Sequence, residues 1–461
     1  MEDNLTKKYG LLTAVAMVVG IVIGSGVFFK AEAVLRATGG NIVIGIFAWL
    51  AVGLIMIICS CTFAVLASRY EKVNGIVDYA ETSLGKRYGY IVGWFMIMIY
   101  YPSLASVLAW LCARYLCILL DWDIAGGSCM STAFFFLCLA YTINALAPII
   151  AGKLQVATTV VKLVPLIMMA IFGTVYGLVS GVMSDNFNTV LSTEEISSAI
   201  ADYRPSPNPL LSSIVSVAFA YEGWIITTSI NAELKDSKKN LPIALISGSL
   251  IVVTIYTLYY IGISGGIDKL ELIASGQKGV LHAFSAVFGN MGAKLLTVFI
   301  IISCFGTLNG VMLACTRGMY SVAVRGEGIK PKVFSRTDKS TGMPGNSAVF
   351  GLFISAVWLV YFYGANVCET PWFGSFGFDS SELPIITLYA IYIPIFFTMM
   401  LREKDLGFAK RFLLPMMSIA GCIFMVWSAV VSHKMQSLYY IILFLIVMGV
   451  GFIFEHPKNK P

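Results

Sequence analysis

The sequence predicts an all-α integral membrane protein of about twelve membrane-spanning helices, and three observations predict it. Hydrophobic residues make up 58% of 461 positions and charged residues 12%, about half the charged share of soluble domains, so water is not the principal solvent. Apolar runs of ~20 residues, enough to cross a ~30 Å hydrocarbon core, recur along the chain with short polar segments between them. The basic residues fall mainly on alternate connections, as a polytopic chain obeying the positive-inside rule requires.

Taken in order, the predicted spans are 11–36, 42–67, 88–119, 130–150, 154–181, 210–231, 243–265, 290–323, 346–363, 383–401, 408–431 and 437–454. The first follows a charged start, but it outruns the apolar core of a signal peptide and lacks a small-residue cleavage site, so it reads as a retained helix. The longest hydrophilic stretches are 182–209, 266–289 and 324–345. Stretches 75–87 and 324–345 read either as short helices at the membrane surface or as solvated loops. No linker divides the chain, so residues 1–461 are expected to form one integral domain.

Twelve spans put both termini on one side. If that side is the cytoplasm, the inner segments carry Lys7, Lys8, Arg69, Lys86, Arg87, Lys235, Lys238, Lys239, Arg325, Lys330, Arg402 and Arg411 among others. The outer segments carry only Arg36, Arg204, Lys269, Lys278, Lys294 and Lys434. A multi-pass cell-membrane protein with cytoplasmic termini follows, and topology accounts for the net charge of +6 without nucleic acid. Ten cysteines show no CxxC spacing and the histidines are His282, His433 and His456, so no metal, cofactor or disulfide framework is expected. Asn4-Leu-Thr6 has the form of a glycosylation site on the wrong side of the membrane.

The functional signal lies in two interrupted helices. Span one is broken near its middle by Gly24-Ser25-Gly26, and span six by Tyr221-Glu222-Gly223. Five helices separate them, so they run in opposite directions, and paired Gly-interrupted segments in corresponding halves point to a midplane binding site. Unwound backbone in hydrocarbon leaves N–H and C=O groups without partners, which is tolerable only where they bind something polar. The N–H groups at Ser25 and Gly26, on the positive end of the second half-helix, suit a carboxylate. Carbonyls near Val22, Phe219 and Glu222 suit an ammonium, so one backbone arrangement reads an α-amino acid. The competing reading is close packing, which Gly20-x-x-x-Gly24 also fits.

The runs Ile21–Phe28, Phe219–Trp224, Ser303–Gly310 with Arg317, and Val324–Gly328 resemble the amino acid, polyamine and organocation transporter superfamily. They look most like the L-type amino-acid transporter family and its bacterial relatives. The resemblance implies a LeuT-like five-plus-five inverted repeat (11–181 and 210–401) with two further helices (408–454), and sodium-independent exchange of amino acids by alternating access. A proton-coupled importer or a cationic amino-acid or polyamine antiporter is the alternative. It further implies that Gly24, Ser25 and Gly26 bind the carboxylate, that the Val22, Phe219 and Glu222 carbonyls accept the amine, and that Phe219 is the outer gate. Lys162 resembles the family's fifth-helix lysine, which stands where sodium-coupled relatives hold a cation and bonds the unwound part of helix 1. A proton-accepting role and snorkelling to the inner interface are its other readings.

Three roles stay open for Glu222: contact with a cationic substrate, proton uptake, or pairing with a structural cation. Arg114 and Lys30 read as interfacial anchors, and Arg317 as an anchor at the inner end of helix 8. Cys129 falls where animal members link to a partner glycoprotein, but its surroundings show no further resemblance, and an obligate second subunit is not expected. A membrane sensor would need an output domain, of which the sequence shows none. An enzyme would need a nucleophile motif, a His cluster or a phosphate loop, also lacking.

Overall fold

The computed structural model describes residues 7–71, 74–200, 203–368 and 370–455; Asn4-Leu-Thr6 and His456 lie outside them. The described chain is mostly helical, with no strand. Eleven helices are long and apolar enough to cross a membrane: Ile42–Arg69, Lys86–Leu119, Gly127–Leu146, Pro148–Ser180, Pro209–Glu233, Ser237–Gly266, Gly279–Ala323, Gly345–Val367, Pro384–Arg402, Ala409–His433 and Met435–Ile453. The first predicted span is two half-helices, Leu11–Val22 and Gly26–Ala37. Neither half alone crosses, and together they complete twelve passes, the predicted number.

Both ends of the chain pack on one face, called here the terminal face. The N–H groups of Lys8 and Tyr9 donate to Glu233 O at 2.8 and 3.0 Å, and Gly328 N donates to Phe454 O at 3.1 Å. These contacts join the start of the chain, the foot of the sixth pass, the connection after the eighth and the end of the twelfth. An even number of passes puts the two ends on the same face.

Of the two stretches that read either as surface helices or as loops, residues 75–84 form a helix (Gly75–Leu84) and 324–345 holds only the single turn Pro331–Phe334. The connections differ from expectation in two places. Much of the 266–289 stretch is helical, and the eighth pass starts at Gly279, with non-helical backbone at Gly289 (φ 74°). The sequence locates the span from 290 because the break there is real. Cys129, expected in a loop, sits in the first turn of the helix Gly127–Leu146 and is fully buried.

Packing is close where small residues meet. A Cβ on Gly262 would lie 2.1 Å from the Met169 carbonyl oxygen, so the fifth and seventh passes touch backbone to backbone. Trp49 meets Tyr221 and Tyr256 edge to face with centroids 5.7 and 5.4 Å apart, and the two tyrosine rings lie tilted at 5.0 Å, all three buried. This wall fixes the two broken helices against each other.

Candidate functional site

The first break spans Ile23 to Ser25. Gly24 N turns back to donate to Val22 O at 2.9 Å, which ends the first half-helix. Among the described residues no backbone acceptor takes the N–H of Ser25, Gly26 or Val27, and no side chain caps the second half-helix. These are the orphan donors every helix N-terminus leaves, here at membrane depth. Glycine has different reasons at each position. A Cβ on Gly20 would sit 2.1 Å from Thr159 Oγ1 and one on Gly26 3.0 Å from Ala220 Cα, whereas on Gly24 the nearest atom is 3.4 Å away. Close packing therefore explains Gly20 and Gly26 but not Gly24.

The second break is built by Glu222 in extended backbone and Gly223 in the left-handed region (φ 104°), between the helix Pro209–Ala218 with its tight turn Phe219–Tyr221 and the 3-10 helix Trp224–Glu233. Gly223 lies against Ile21, whose Cγ2 would be 2.8 Å from an added Cβ. The positive φ and the close approach both require glycine. The two breaks thus touch. Between them lies a cavity of about 30 Å³, lined by Val22, Gly24, Ser25, Gly26, Phe219 and Glu222 together with Leu104, Leu108, Thr307 and Val311. It has room for a water or two.

All six expected binding residues therefore meet, although their carbonyls are not equally free. Val22 O accepts from Gly24 N and from the Tyr256 hydroxyl, each at 2.9 Å, and Tyr256 also reaches Ala220 O at 3.1 Å. Phe219 O accepts one bond, from Glu222 N at 3.2 Å, and keeps a lone pair.

Lys162 is fully buried and does not snorkel. Its ammonium donates to Gly20 O (2.7 Å), Ile23 O (2.6 Å), Ser303 O (3.0 Å) and Thr307 Oγ1 (3.1 Å). Thr307 Oγ1 in turn lies 3.0 Å from the Gly20 and Ile23 carbonyls, and Ser303 Oγ donates to Gly24 O at 3.1 Å. Lys162 thereby serves two carbonyls at the end of the first half-helix, those of Gly20 and Ile23, while Tyr256 serves that of Val22.

Glu222 is also buried, 5% exposed. The Tyr100 hydroxyl donates to its Oε2 at 3.0 Å, the Tyr389 hydroxyl and the Gly223 N–H stand close to the carboxylate, and Oε1 accepts no well-aligned hydrogen bond. No basic residue pairs with it among the described residues, which removes the structural-cation role from the three open readings.

The mouth and the foot of the site are both ionic. Lys30 pairs with Glu382 at 2.8 Å and lies 5.7 Å from the centre of the Phe219 ring. Glu382 also holds His433 at 3.2 Å. Burial alone would raise the Glu382 carboxyl, but Lys30 and His433 hold it down to about 2. At the terminal face Arg317 pairs with Glu233, both fully buried, and Lys8 approaches Glu233 at 3.7 Å. Arg317 is thus the expected anchor, with a partner that sequence did not reveal.

The sequence model of the amino acid permease family matches residues 9–453. This chain belongs to that family. The permease is 28% identical to the serine/threonine exchanger SteT of Bacillus subtilis over 94% of either chain. It is 23% identical to the mouse b(0,+)-type amino acid transporter 1 over 98% of this chain and 88% of that one. It is 24% identical to the human cystine/glutamate transporter over 74% and 66%. A permease of amino acids, and not an enzyme, is the activity class.

Four residues of the permease's site escaped sequence reasoning as individuals: Tyr100, Tyr256, Ser303 and Thr307. Each is a hydroxyl in the middle of an apolar pass, and that placement is the one signal available, since a hydroxyl at such depth needs a partner.

Proposed function

We propose that the permease exchanges α-amino acids across the cell membrane, independently of sodium, by alternating access. The observation that carries this reading is the contact between the two breaks. It sets the unpaired N–H groups of Ser25 and Gly26 on one side of a cavity and the Phe219 and Glu222 backbone on the other. A substrate carboxylate takes the N–H groups. Its ammonium takes the Phe219 carbonyl and, once Tyr256 yields, that of Val22. At about 30 Å³ the cavity is too small for an amino acid, so loading requires Phe219 and the half-helix Gly26–Ala37 to swing away from the eighth pass. Passes one to five (11–181) and six to ten (210–401) act as the inverted halves, and the last two (408–454) stand outside them.

Sodium independence rests on Lys162. Unwound carbonyls of a first helix with oxygens of an eighth are the ligands that would hold Na⁺ in such a fold, and here an ammonium already occupies that oxygen set. The terminal face is assigned to the cytoplasm because it carries the basic excess. No obligate second subunit is invoked: Cys129 is buried and offers no accessible thiol for linkage. Counter-flow in proteoliposomes tests the reading. Labelled amino acid should accumulate only in vesicles preloaded with unlabelled amino acid, equally in sodium and in choline buffer; uptake into empty vesicles, or dependence on sodium, rejects it.

A second reading is favoured by the unpartnered Oε1 of Glu222 on the cavity wall. A carboxylate there suits a cationic substrate side chain, or a proton carried with the substrate. Glu222→Gln separates the two: loss confined to lysine, arginine and polyamines marks substrate contact, and loss of pH-gradient-driven uptake marks proton coupling.

A further inference from the structure

One carboxylate ties three elements together toward the face opposite the termini. Odd-numbered passes run away from the terminal face, so Lys30, in the second half of the first, and His433, the last residue of the eleventh, both stand on that side. Glu382, just before the tenth pass, offers them different oxygens. Oε1 takes the Lys30 ammonium at 2.8 Å, and Oε2 lies 3.2 Å from His433 Nε2. Lys30 in turn stands 5.7 Å from the ring centre of Phe219, which lines the cavity between the two breaks. The half-helix Gly26–Ala37 is thus held over that cavity by a charge it shares with the eleventh pass.

Of the three groups, one changes charge near neutrality. The Glu382 carboxyl is held down to about 2, and a lysine ordinarily keeps its proton well past neutrality. An imidazole ordinarily titrates near 6.5. The His433 side chain is 15% exposed, so protons of the solution at that face reach it. The other groups facing the cluster are Asp379, Glu32 and the uncharged Gln436 of the twelfth pass. Asp379 is committed to Ser381 N and Oγ at 2.7 and 2.6 Å, and Glu32 stands beside Arg36.

Neutral, the His433 ring is an ordinary partner for Oε2. Charged, it draws on the carboxylate charge that holds Lys30, and it becomes a second cation on the far side of that carboxylate. Both effects loosen Lys30. The stronger His433–Glu382 attraction does not compensate, because it joins the tenth and eleventh passes, which pack along each other, and leaves the half-helix out.

We propose that His433 is an effector site for protons on the opposite face, where protonation weakens the Lys30–Glu382 pair and eases the swing of Gly26–Ala37 that admits substrate. The inference rests on the exchange reading for that swing. It adds a control that acts from one face, with no proton crossing the membrane.

The test is sided. Oriented proteoliposomes are preloaded with unlabelled L-serine at pH 7.5 and given labelled L-serine at the opposite face. Uptake should be about three- to fivefold faster with that face at pH 5.5 than at pH 8, the size of one charge pair at a partly exposed position. Changing pH at the terminal face alone should leave the rate unchanged. His433→Asn should be flat at the slow rate and His433→Lys, a cation throughout, flat at the fast one. A response retained in His433→Asn, or a native rate indifferent to pH at the opposite face, overturns the proposal. Absence of native exchange with any amino acid at any pH would instead strike the exchange reading. The latch is then read without transport, by labelling Leu108→Cys from the opposite face over the background of the native thiols. Adding His433→Lys should speed labelling about three- to fivefold at pH 8 and leave it unchanged at pH 5.5, a comparison in which the thiol's own pH dependence cancels; equal labelling at both pH values refutes the site.

Discussion

Lys162→Met keeps the length of the side chain and deletes its charge. In the native protein the ammonium serves Gly20, Ile23 and Ser303 carbonyls and Thr307 Oγ1. Thr307 Oγ1 stands 3.0 Å from the Gly20 and Ile23 carbonyls, and Ser303 Oγ 3.3 and 3.1 Å from those of Ile23 and Gly24, so in the variant two hydroxyl protons face three carbonyls and one is left bare. A buried acceptor without a donor costs about 1–3 kcal/mol. At about 2 kcal/mol, charged only to the state in which the helix is unwound at residues 23–25, the binding-competent population falls roughly thirtyfold, since 1.4 kcal/mol is tenfold. The fold itself also sheds a desolvated ammonium, which offsets the loss. The expected result is a counter-flow rate reduced about thirtyfold with an unchanged or slightly raised melting temperature in detergent. A variant that exchanges within threefold of wild type would refute the claim that Lys162 holds the break open. Loss of exchange that tracks loss of folded protein would refute the division between site and scaffold.

Further outcomes follow from the same geometry. Gly26→Ala should abolish counter-flow because its Cβ meets backbone at 3.0 Å, while Gly24→Ala, with 3.4 Å to a side chain, should keep measurable exchange; the reverse order in the same assay would contradict the packing argument. Glu233→Gln leaves the Arg317 guanidinium buried without its carboxylate, a change of about 3–5 kcal/mol, and should open the terminal face, read as faster thiol labelling of a cysteine placed at Val22 from that side. Glu382 gives a pH test. Its carboxyl, ordinarily near 4.5, is held down to about 2, so its contribution to stability is complete above about pH 4.5 and is lost as pH falls toward 2. In a His433→Asn background, the melting-temperature difference between Glu382 and Glu382→Gln should be flat from pH 5 to 8 and shrink below pH 4.5; a slope across pH 5–8 would count against the Lys30 pair.

Both breaks were legible because glycine at membrane depth is a covalent fact of the chain, independent of what surrounds it. Glu222 and Lys162 were legible for a related reason, since an ionisable group inside an apolar run has to be explained wherever it lands. Lys30 shows where such reading stops. Its local sequence does not say which carboxylate it meets, and that partner, Glu382, lies more than three hundred residues away. Tyr256 is a similar case: its hydroxyl closes the Val22 carbonyl that the sequence leaves open for substrate.

By itself, then, the sequence determined the solvent, the number of passes, their alternation and the two points at which helices fail, because each depends on local hydrophobicity and backbone chemistry. The tertiary structure decided which oxygen meets which donor: Lys162 on the carbonyls of the first break, Glu222 left half-satisfied, Arg317 on Glu233. Hydrogen bonds are short and directional while the residues that make them lie scores to hundreds of positions apart, so their pairing exists only once the passes have packed.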